Sequence, residues 1–541
     1  MYRFWPSFSP FPTLKLLNIH RWCCSATGKP PMVGVAAIQR GALQSAASAR
    51  VRGRVENFRV RGKLAFIQLR QPPSHSIQVV AAGAEISHKV KELTPESIVD
   101  VIGVIKPTER PVTSVSCSNY ELHATSIEVV SKAAVPLPFP LHDQNAKLDT
   151  RLNNRYIDMR TPLAVAMIRL VSAAAQSFRT QLLSRDFVEL HTPKIIGTAS
   201  EGGSALFSLD YFGRQAFLAQ SPQLYKQMAI MGDGMRVFEI GPVFRAEKSL
   251  THRHLTEFTG LDAEFTVDEF YTELLDVLES ILCGMIWKLQ TENAEWISQA
   301  RAALMELDST EDCGTVVPRR EDIVCEVAEE IIAMYNIRFD DAASRIAPSV
   351  PTEPSEDRYH ARIGTSGPKV LRMTFRDALQ LIRDNDHQHA GRQQEVVGES
   401  DEEVVVDFNL NQERALGELI RLRYGVDLYV VDQFPLAARP FYTMPHPSEE
   451  GVACGFDMYL RGEEICSGGQ RIHDVAQLIH SMEQRRMEAA HMRDYVDSFR
   501  YGAWPHGGFG LGLERIVLFL LGARDIRRVS LFPRDPRRLA P

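Results

Sequence analysis

The sequence predicts an α+β protein: a small closed β-barrel, then a large domain of helices packed on an antiparallel sheet. Three observations predict it. Five short runs between residues 50 and 130 (VRGRVENFRV, KLAFIQLRQ, SIQVVAAG, SIVDVIGVI and YELHATSIEVV) alternate or are β-branched, with Gly and Pro between them. A Pro-rich stretch, VPLPFP, follows them as a break. Helical and strand-like segments then alternate to the end of the chain, the pattern of helices laid on a sheet. The 541 residues are 44% apolar and 24% charged, as in an ordinary folded protein.

From Met1 to Val55 there is no Asp or Glu but eight Lys and Arg, and the first 30 residues hold Phe4, Trp5, Phe8, Phe11 and Leu14. An acid-free, basic, Ser-containing N-terminus reads as a targeting leader, here residues 1–30, with a mitochondrial destination; the cytoplasm is the other destination weighed. Residues 50–133 form the barrel, and the commonest nucleic-acid-binding barrel of five strands is the OB-fold; a β-sandwich is the plainer alternative. Residues 134–155 are a hinge. Residues 156–541 are the large domain, opening with a helical run from Leu163 to Ser184 whose apolar residues recur at helical spacing. Within it, residues about 290–368 have weak periodicity and read as an insertion.

Composition excludes several classes. The apolar run Ile516–Gly522 is far too short to span a bilayer, which needs about 20 residues, so no membrane partner is expected. The eight cysteines show no C-x-x-C spacing and no accompanying His cluster, which argues against a zinc site or a disulfide framework. The 61 basic and 68 acidic side chains leave a net charge of −7, unlike a protein that coats nucleic acid by charge alone.

Two segments carry chemistry. In RVFEIGPVFRAEKSLTHRHLTEFTGLDAEF a strand, a polar loop and a second strand bring Arg245, Glu247, Arg253 and His254 together. Guanidinium forks suit phosphate and carboxylate, although an Arg/Glu cluster by itself is ordinarily a surface ion-pair network. In GGFGLGLERIVLFLLG four glycines precede a helix carrying Arg515. Glycines let a backbone approach a nucleotide closely. The segment lacks the Lys-Ser/Thr ending of a P-loop and is a poor match to GxGxxG.

The combination is more specific than either piece. FRAE in a strand–loop–strand, with GLGLER opening a helix more than 200 residues later, resembles motifs 2 and 3 of the class II aminoacyl-tRNA synthetases, and the helix before SRDFVELHTP, with Pro193, resembles motif 1. An OB-fold ahead of such a catalytic domain is similar to the aspartyl, asparaginyl and lysyl subclass. SEGGS, QSPQLYKQM, FYTMPHP, FDMYLRGEEICSGGQRIHD and LFPRDPRRLAP look like aspartyl-tRNA synthetases of the eukaryotic and archaeal type.

The resemblance implies a class II catalytic domain on an antiparallel sheet flanked by helices, a homodimer through motif 1, and ATP, L-aspartate and tRNA-Asp as substrates with Mg²⁺ as cofactor. It implies aspartate contacts from Glu201, Gln223, Leu224, Tyr225, Lys226, Arg245, Ser467 and Arg471, with Lys226 and Arg471 meeting the β-carboxylate. It implies ATP contacts from Arg245, Ala246, Glu247, Arg253, His254, Leu255, Phe258, Glu464, Gly512, Leu513, Glu514 and Arg515. Arg245 and Arg515 carry the catalytic charge, Glu464 and Ser467 the metal side with Asp457 nearby, and Phe66, Gln78, Ser114 and Glu121 the anticodon contacts. Fixed cations would select aspartate over neutral asparagine, because the amide leaves buried charge badly paired. An asparaginyl enzyme and an inactive, nucleic-acid-binding paralog are the competing readings; Lys226 speaks against the first, and the intact Arg245, Glu247 and Arg515 against the second.

Overall fold

The computed structural model describes residues 29–41, 48–143, 145–198, 206–308, 362–363, 370–390, 407–424, 426 and 428–541. The chain divides into two compact units, one ending at Pro138 and one running Phe139–Pro541. The leader, residues 1–28, lies outside the described residues, as does SEGGS with Glu201.

The first unit is a closed barrel of β1 (Ser48–Arg61), β2 (Leu64–Gln71), β3 (His75–Ala82), β4 (Ile98–Pro107) and β5 (Tyr120–Ser131), in the order β1-β2-β3-β5-β4. Closure falls to β1, whose first half pairs with β4 (Ser48↔Val104 to Arg54↔Ile98) and whose second half pairs with β2. A register shift between Val55 and Asn57 lets the long strand turn that corner. Strict alternation in β2 buries Ala65, Ile67 and Leu69 inside and leaves Phe66 and Gln68 on the outer face. A helix, Ala84–Lys91, joins β3 to β4. The five-strand reading passes over it, because AEISHKVK buries only Ser87 and Val90 and so lacks an apolar stripe.

Among the described residues, the main sheet of the second unit has nine strands. They are β6 (Val188–Glu189), β10 (Arg236–Phe244), β11 (Glu257–Thr266), β12 (Arg362–Ile363), β13 (Leu371–Thr374), β14 (Leu428–Asp432), β15 (Gly455–Leu460), β16 (Glu463–Gln470) and β17 (His506–Gly512). Their order is β12-β13-β14-β15-β16-β17-β11-β10-β6. Strands β7 (Ile195–Ile196), β8 (Ser208–Tyr211) and β9 (Arg214–Leu218) make a separate small sheet. The run from β14 to β10 is antiparallel, as the sequence predicts, but the sheet is mixed: β13 lies parallel to β14, and β10 to β6. The cause is connection length, since helices Phe375–Ala390 and Leu410–Tyr424 stand between β13 and β14, and a crossover returns the chain in the same direction.

The helical run beginning at Leu163 is the helix Pro162–Leu183, capped by the Thr161 hydroxyl, which accepts the Ala164 N–H at 3.3 Å. It packs Leu170, Ala174 and Phe178 against Phe238, Leu261, Ala263 and Phe509 of the sheet. Helices Thr272–Glu292, Ala294–Asp308 and Leu513–Leu521 cover the same face. The stretch read as an insertion begins inside this layer, with Ile297, Ala300 and Leu304 in the core; 309–361 and 364–369 lie outside the described residues. The stretch 134–155 crosses the boundary between the units. Arg155, at its end, is buried in the second unit and donates to the carbonyls of Leu531 (2.9 Å) and Ser530 (2.7 Å).

Candidate active site

One face of β11, β16 and β17 is covered by helices, and the other forms the floor of a cavity of about 350 Å³. The floor is nearly bare because β17 contributes Gly510 and Gly512 to it, at alternate positions that share one face of the strand with Gly508. Sheet register lines up one row across four strands: Asp262 opposite Gly510, Gly510 opposite Ser467, and Ser467 opposite Asp457. The next row holds Glu264 opposite Gly508 and Gly508 opposite Gly469. Gly508 has no alternative: a Cβ there would lie 2.2 Å from both the Ala263 carbonyl oxygen and Glu264 Oε2.

A buried charge cluster stands at one end of this floor. Helix Gln223–Met231 delivers Lys226, whose Nζ lies 3.1 Å from Asp262 Oδ1 and 3.4 Å from Glu264 Oε2. Arg471, just beyond β16, donates Nε to Glu264 Oε1 at 2.8 Å and Nη2 to the Gly508 carbonyl at 3.1 Å. Gln223 accepts from Arg471 Nη2 at 3.3 Å. Burial by itself would push the Glu264 carboxyl up, but Arg471 and Lys226 outweigh it and hold Glu264 below the usual carboxylate range. The cluster therefore carries two cations and two carboxylates.

The cavity wall comes from the hairpin β10–β11 and its loop. Arg245, Glu247, Arg253, His254, Leu255 and Phe258 all line it. The Arg245 guanidinium sits 5.5 Å from the Phe258 ring centre, within cation–π range, and Phe258 also packs partly on the core. Arg253 is fixed by Glu413 at 2.8 Å. Burial, with Arg515 and Arg253 close by, pushes the His254 imidazole below its ordinary value, so it is neutral near pH 7. From the far side comes helix Leu513–Leu521, where Glu514 accepts the Thr259 N–H on both oxygens at 3.1 Å. Arg515 donates to the Glu464 carbonyl at 2.7 Å.

The structure brings Gln223, Arg245, Glu247, Arg253, His254, Leu255, Phe258, Glu464, Ser467, Arg471, Gly512, Glu514 and Arg515 into one cavity lining. Leu224, Tyr225, Lys226, Ala246 and Leu513 are absent from that lining. Leu224 is packed with Phe441 and Tyr442, Leu513 belongs to the main core, and Lys226 lies buried behind Asp262. Asp457 is engaged on both oxygens by Arg439, at 2.9 and 2.7 Å, which leaves Glu464 as the carboxylate facing the cavity beside Ser467. Among the described residues, no three His, Cys, Asp or Glu side chains gather into a group that could hold a metal ion.

Sequence reading missed Asp262, Glu264, Glu413, Arg439, Tyr442 and Thr443. A signal existed for the first two: GLDAEF is an apolar strand with acids at period two, hence on one face. Arg439 gave none, because its partner and the Phe434 ring beneath it (3.8 Å) are set by folding.

In the barrel, Phe66, Gln78 and Glu121 occupy the outer face on adjacent strands β2, β3 and β5. Gln78 Nε2 donates to Glu121 Oε1 at 2.5 Å, and Gln68, next to Phe66 on the same face, donates to the Ser114 carbonyl at 3.3 Å. Arg59 lies over the Phe66 ring at 5.9 Å.

Comparison with known proteins agrees with this architecture. Residues 147–536 match the family model of tRNA synthetases class II (D, K and N), and residues 49–130 match the OB-fold nucleic acid binding domain. The chain is 38% identical over 508 residues to the human cytoplasmic aspartate–tRNA ligase, covering 91% of this chain and 88% of that protein. It is 37% identical over 515 residues to the Caenorhabditis elegans cytoplasmic aspartate–tRNA ligase, covering 91% and 84%. The aspartyl-tRNA synthetase of Entamoeba histolytica superposes with a TM-score of 0.71 at 33% identity, covering 96% of this chain and 94% of that one. The asparaginyl-tRNA synthetase of Pyrococcus horikoshii, complexed with asparaginyl-adenylate, superposes with a TM-score of 0.71 at 26% identity, covering 92% and 97%. These relatives correct one expectation: the aspartate–tRNA ligases of human, C. elegans and Arabidopsis thaliana that the chain matches are named cytoplasmic, which overturns the mitochondrial destination drawn from the acid-free N-terminus. Glycine floor, arginine walls and barrel thus fall together with a match over most of the chain, and the chain belongs to the class II tRNA synthetases of the D, K and N group, in the aspartate–tRNA ligase family.

Proposed function

We propose that the protein joins L-aspartate to tRNA-Asp in two steps, with ATP as co-substrate. The observation that carries this reading is the junction of two features in one cavity: Arg245 and Arg515 on its walls and the Lys226–Asp262–Glu264–Arg471 cluster at its end. First, an oxygen of the aspartate α-carboxylate attacks the α-phosphorus of ATP, and the bond to pyrophosphate breaks. Then the 3′-hydroxyl of the tRNA terminal adenosine attacks the acyl carbon, and AMP leaves. Neither step needs a protein nucleophile, so positioning and charge stabilisation suffice.

Arg245 meets the α-carboxylate and α-phosphate, Arg515 the γ-phosphate, and Phe258 the adenine. Arg253, braced by Glu413, and neutral His254 complete the nucleotide wall. Arg471, with Lys226 behind it, orients the β-carboxylate. Glu464 and Ser467 fit Mg²⁺, which takes one or two carboxylates and fills its shell with phosphate and water; when bound it neutralises phosphate charge. The barrel face of Phe66, Gln78, Ser114 and Glu121 reads the anticodon, Phe66 by stacking. A homodimer through motif 1 is supported by exposed apolar side chains there: Val188 is 60% exposed, Leu183 52% and Ile195 47%.

Exchange of labelled pyrophosphate into ATP tests the reading. Exchange should depend on aspartate and be absent with asparagine. No aspartate-dependent exchange by folded protein overturns it, and exchange driven by asparagine instead would favour the asparaginyl reading that the Pyrococcus structure represents.

A further inference from the structure

Behind the charge cluster lies a second set of buried polar groups that line no part of the cavity. Gln227 follows Lys226 on the same helix and is fully buried. Its amide nitrogen lies 3.0 Å from His506 Nε2, and its amide oxygen lies 2.9 Å from the Tyr495 hydroxyl. His506 Nδ1 lies 2.7 Å from the Trp504 carbonyl oxygen.

The chemistry of these groups fixes the direction of every bond. A carbonyl only accepts, so His506 Nδ1 carries the proton. The neutral ring then offers a lone pair at Nε2, which must face the NH₂ of Gln227. That leaves the Gln227 oxygen to accept from Tyr495. The chain runs one way, from Tyr495 through Gln227 and His506 to Trp504, with each of its groups satisfied. Burial, with Arg471 and His473 close by, pushes the His506 imidazole down to about 4, so it stays neutral despite the Glu264 carboxylate.

His506 also acts through its backbone, whose carbonyl accepts the Arg471 N–H at 2.8 Å. The Arg471 side chain in turn spans Glu264, Gln223 and the Gly508 carbonyl. One residue therefore ties β17, the Arg471 backbone and the helix bearing Gln223 and Lys226. We propose that His506, Gln227 and Tyr495 are positioning residues that set the placement of Arg471 and Lys226, and through them aspartate binding and selectivity. This rests on the aspartate-ligase reading.

The neutral ring matters for charge as well as geometry. A third cation here would unbalance a cluster of two cations and two carboxylates and would place two donors face to face at Gln227. Tyr495, Gln227, His506 and Trp504 take no part in the cavity lining, so their effect should fall on the amino acid through Arg471 and Lys226.

The test is steady-state pyrophosphate exchange with aspartate and ATP varied separately, on the full chain. Wild type is measured first, and a lack of aspartate-dependent exchange there would sink the ligase reading rather than this proposal. His506→Asn retains a donor near the Trp504 carbonyl but no acceptor for Gln227. It should raise the aspartate KM about tenfold, because a buried donor is left unpaired, with the ATP KM and kcat within about twofold. His506→Gln carries its amide oxygen near the Nε2 position and should recover to within about threefold of wild type. Tyr495→Phe removes only the terminal donor and should raise the aspartate KM at least about threefold. Equal shifts in the aspartate and ATP KM, or an unchanged aspartate KM in His506→Asn, would overturn the proposal. If His506→Asn does not fold, an unchanged aspartate KM in Tyr495→Phe overturns it equally.

Discussion

Replacing Lys226 with methionine keeps an unbranched side chain, one atom shorter, and removes its charge. Lys226 Nζ is 3.1 Å from Asp262 and 3.4 Å from Glu264, and the side chain is fully buried. At an effective dielectric of about 20, each contact is worth about 5 kcal/mol of Coulomb attraction, before desolvation takes most of it back. Breaking a buried pair by removing one partner costs about 3–5 kcal/mol in practice. The unit Phe139–Pro541 has about 400 residues, so with an unfolding entropy of about 2.1 cal/mol/K per residue, Tm should fall by about 4–6 °C. Glu264 would keep Arg471, while Asp262 would lose the cation 3.1 Å away. Aspartate binding should suffer more than stability: loss of a buried charge partner at about 2–5 kcal/mol corresponds to a drop in kcat/KM for aspartate of roughly 30- to 4,000-fold. The ATP KM should change less than about threefold, because Asp262 and Glu264, the partners of Lys226, belong to the charge cluster and not to the nucleotide wall. Scanning calorimetry and pyrophosphate exchange measure both. Parallel losses for aspartate and ATP, or a lowered Tm with unchanged aspartate use, would refute the role in substrate selection and leave Lys226 a structural cation.

Phe66→Ala should raise the tRNA KM by roughly 5- to 150-fold, the equivalent of about 1–3 kcal/mol of stacking, in an aminoacylation assay. Aspartate-dependent exchange, which needs no tRNA, should stay within about twofold, and an unaltered tRNA KM would remove Phe66 from the anticodon face. Gly508→Ala places a Cβ 2.2 Å from the Ala263 carbonyl and should abolish exchange or soluble expression, whereas Gly510→Ala, with its nearest atom at 3.1 Å, should remain folded. Equal behaviour of the two in expression and exchange would count against the close approach. For His506, the folded pKa of about 4 lies below the ordinary value, so its contribution is fully present above pH 6.5 and is lost as pH falls toward 4. Roughly 3 kcal/mol is at stake, and denaturant titrations at pH 7 and 4.5 should show a smaller difference for His506→Gln than for wild type.

The barrel and the glycine strand were legible because they depend on local pattern. Ala65, Ile67 and Leu69 alternate with outward residues in β2, and Gly508, Gly510 and Gly512 sit at period two in β17. Arg245 and Arg515 stood out because FRAE and GLGLER together resemble motifs 2 and 3 of the class II synthetases. What escaped was the pairing. Whether Lys226 meets substrate or Asp262, and whether Asp457 meets a metal or Arg439, depends on register between strands far apart in the chain. Sheet direction failed at the edges for the same reason, since a parallel pair differs from an antiparallel one in its connection and not in its own residues.

The two glycines of β17 that line the cavity, Gly510 and Gly512, have a consequence for how this site can change over generations. Its floor already lies at the level of the backbone, so no substitution can deepen it. Every mutation of those positions adds atoms and subtracts room. Variation at the floor is therefore a ratchet that turns one way, toward a shallower site. A descendant with a new substrate must be reached from the walls, through Arg439, Tyr442, Thr443 and Arg471, while the floor stays as it is.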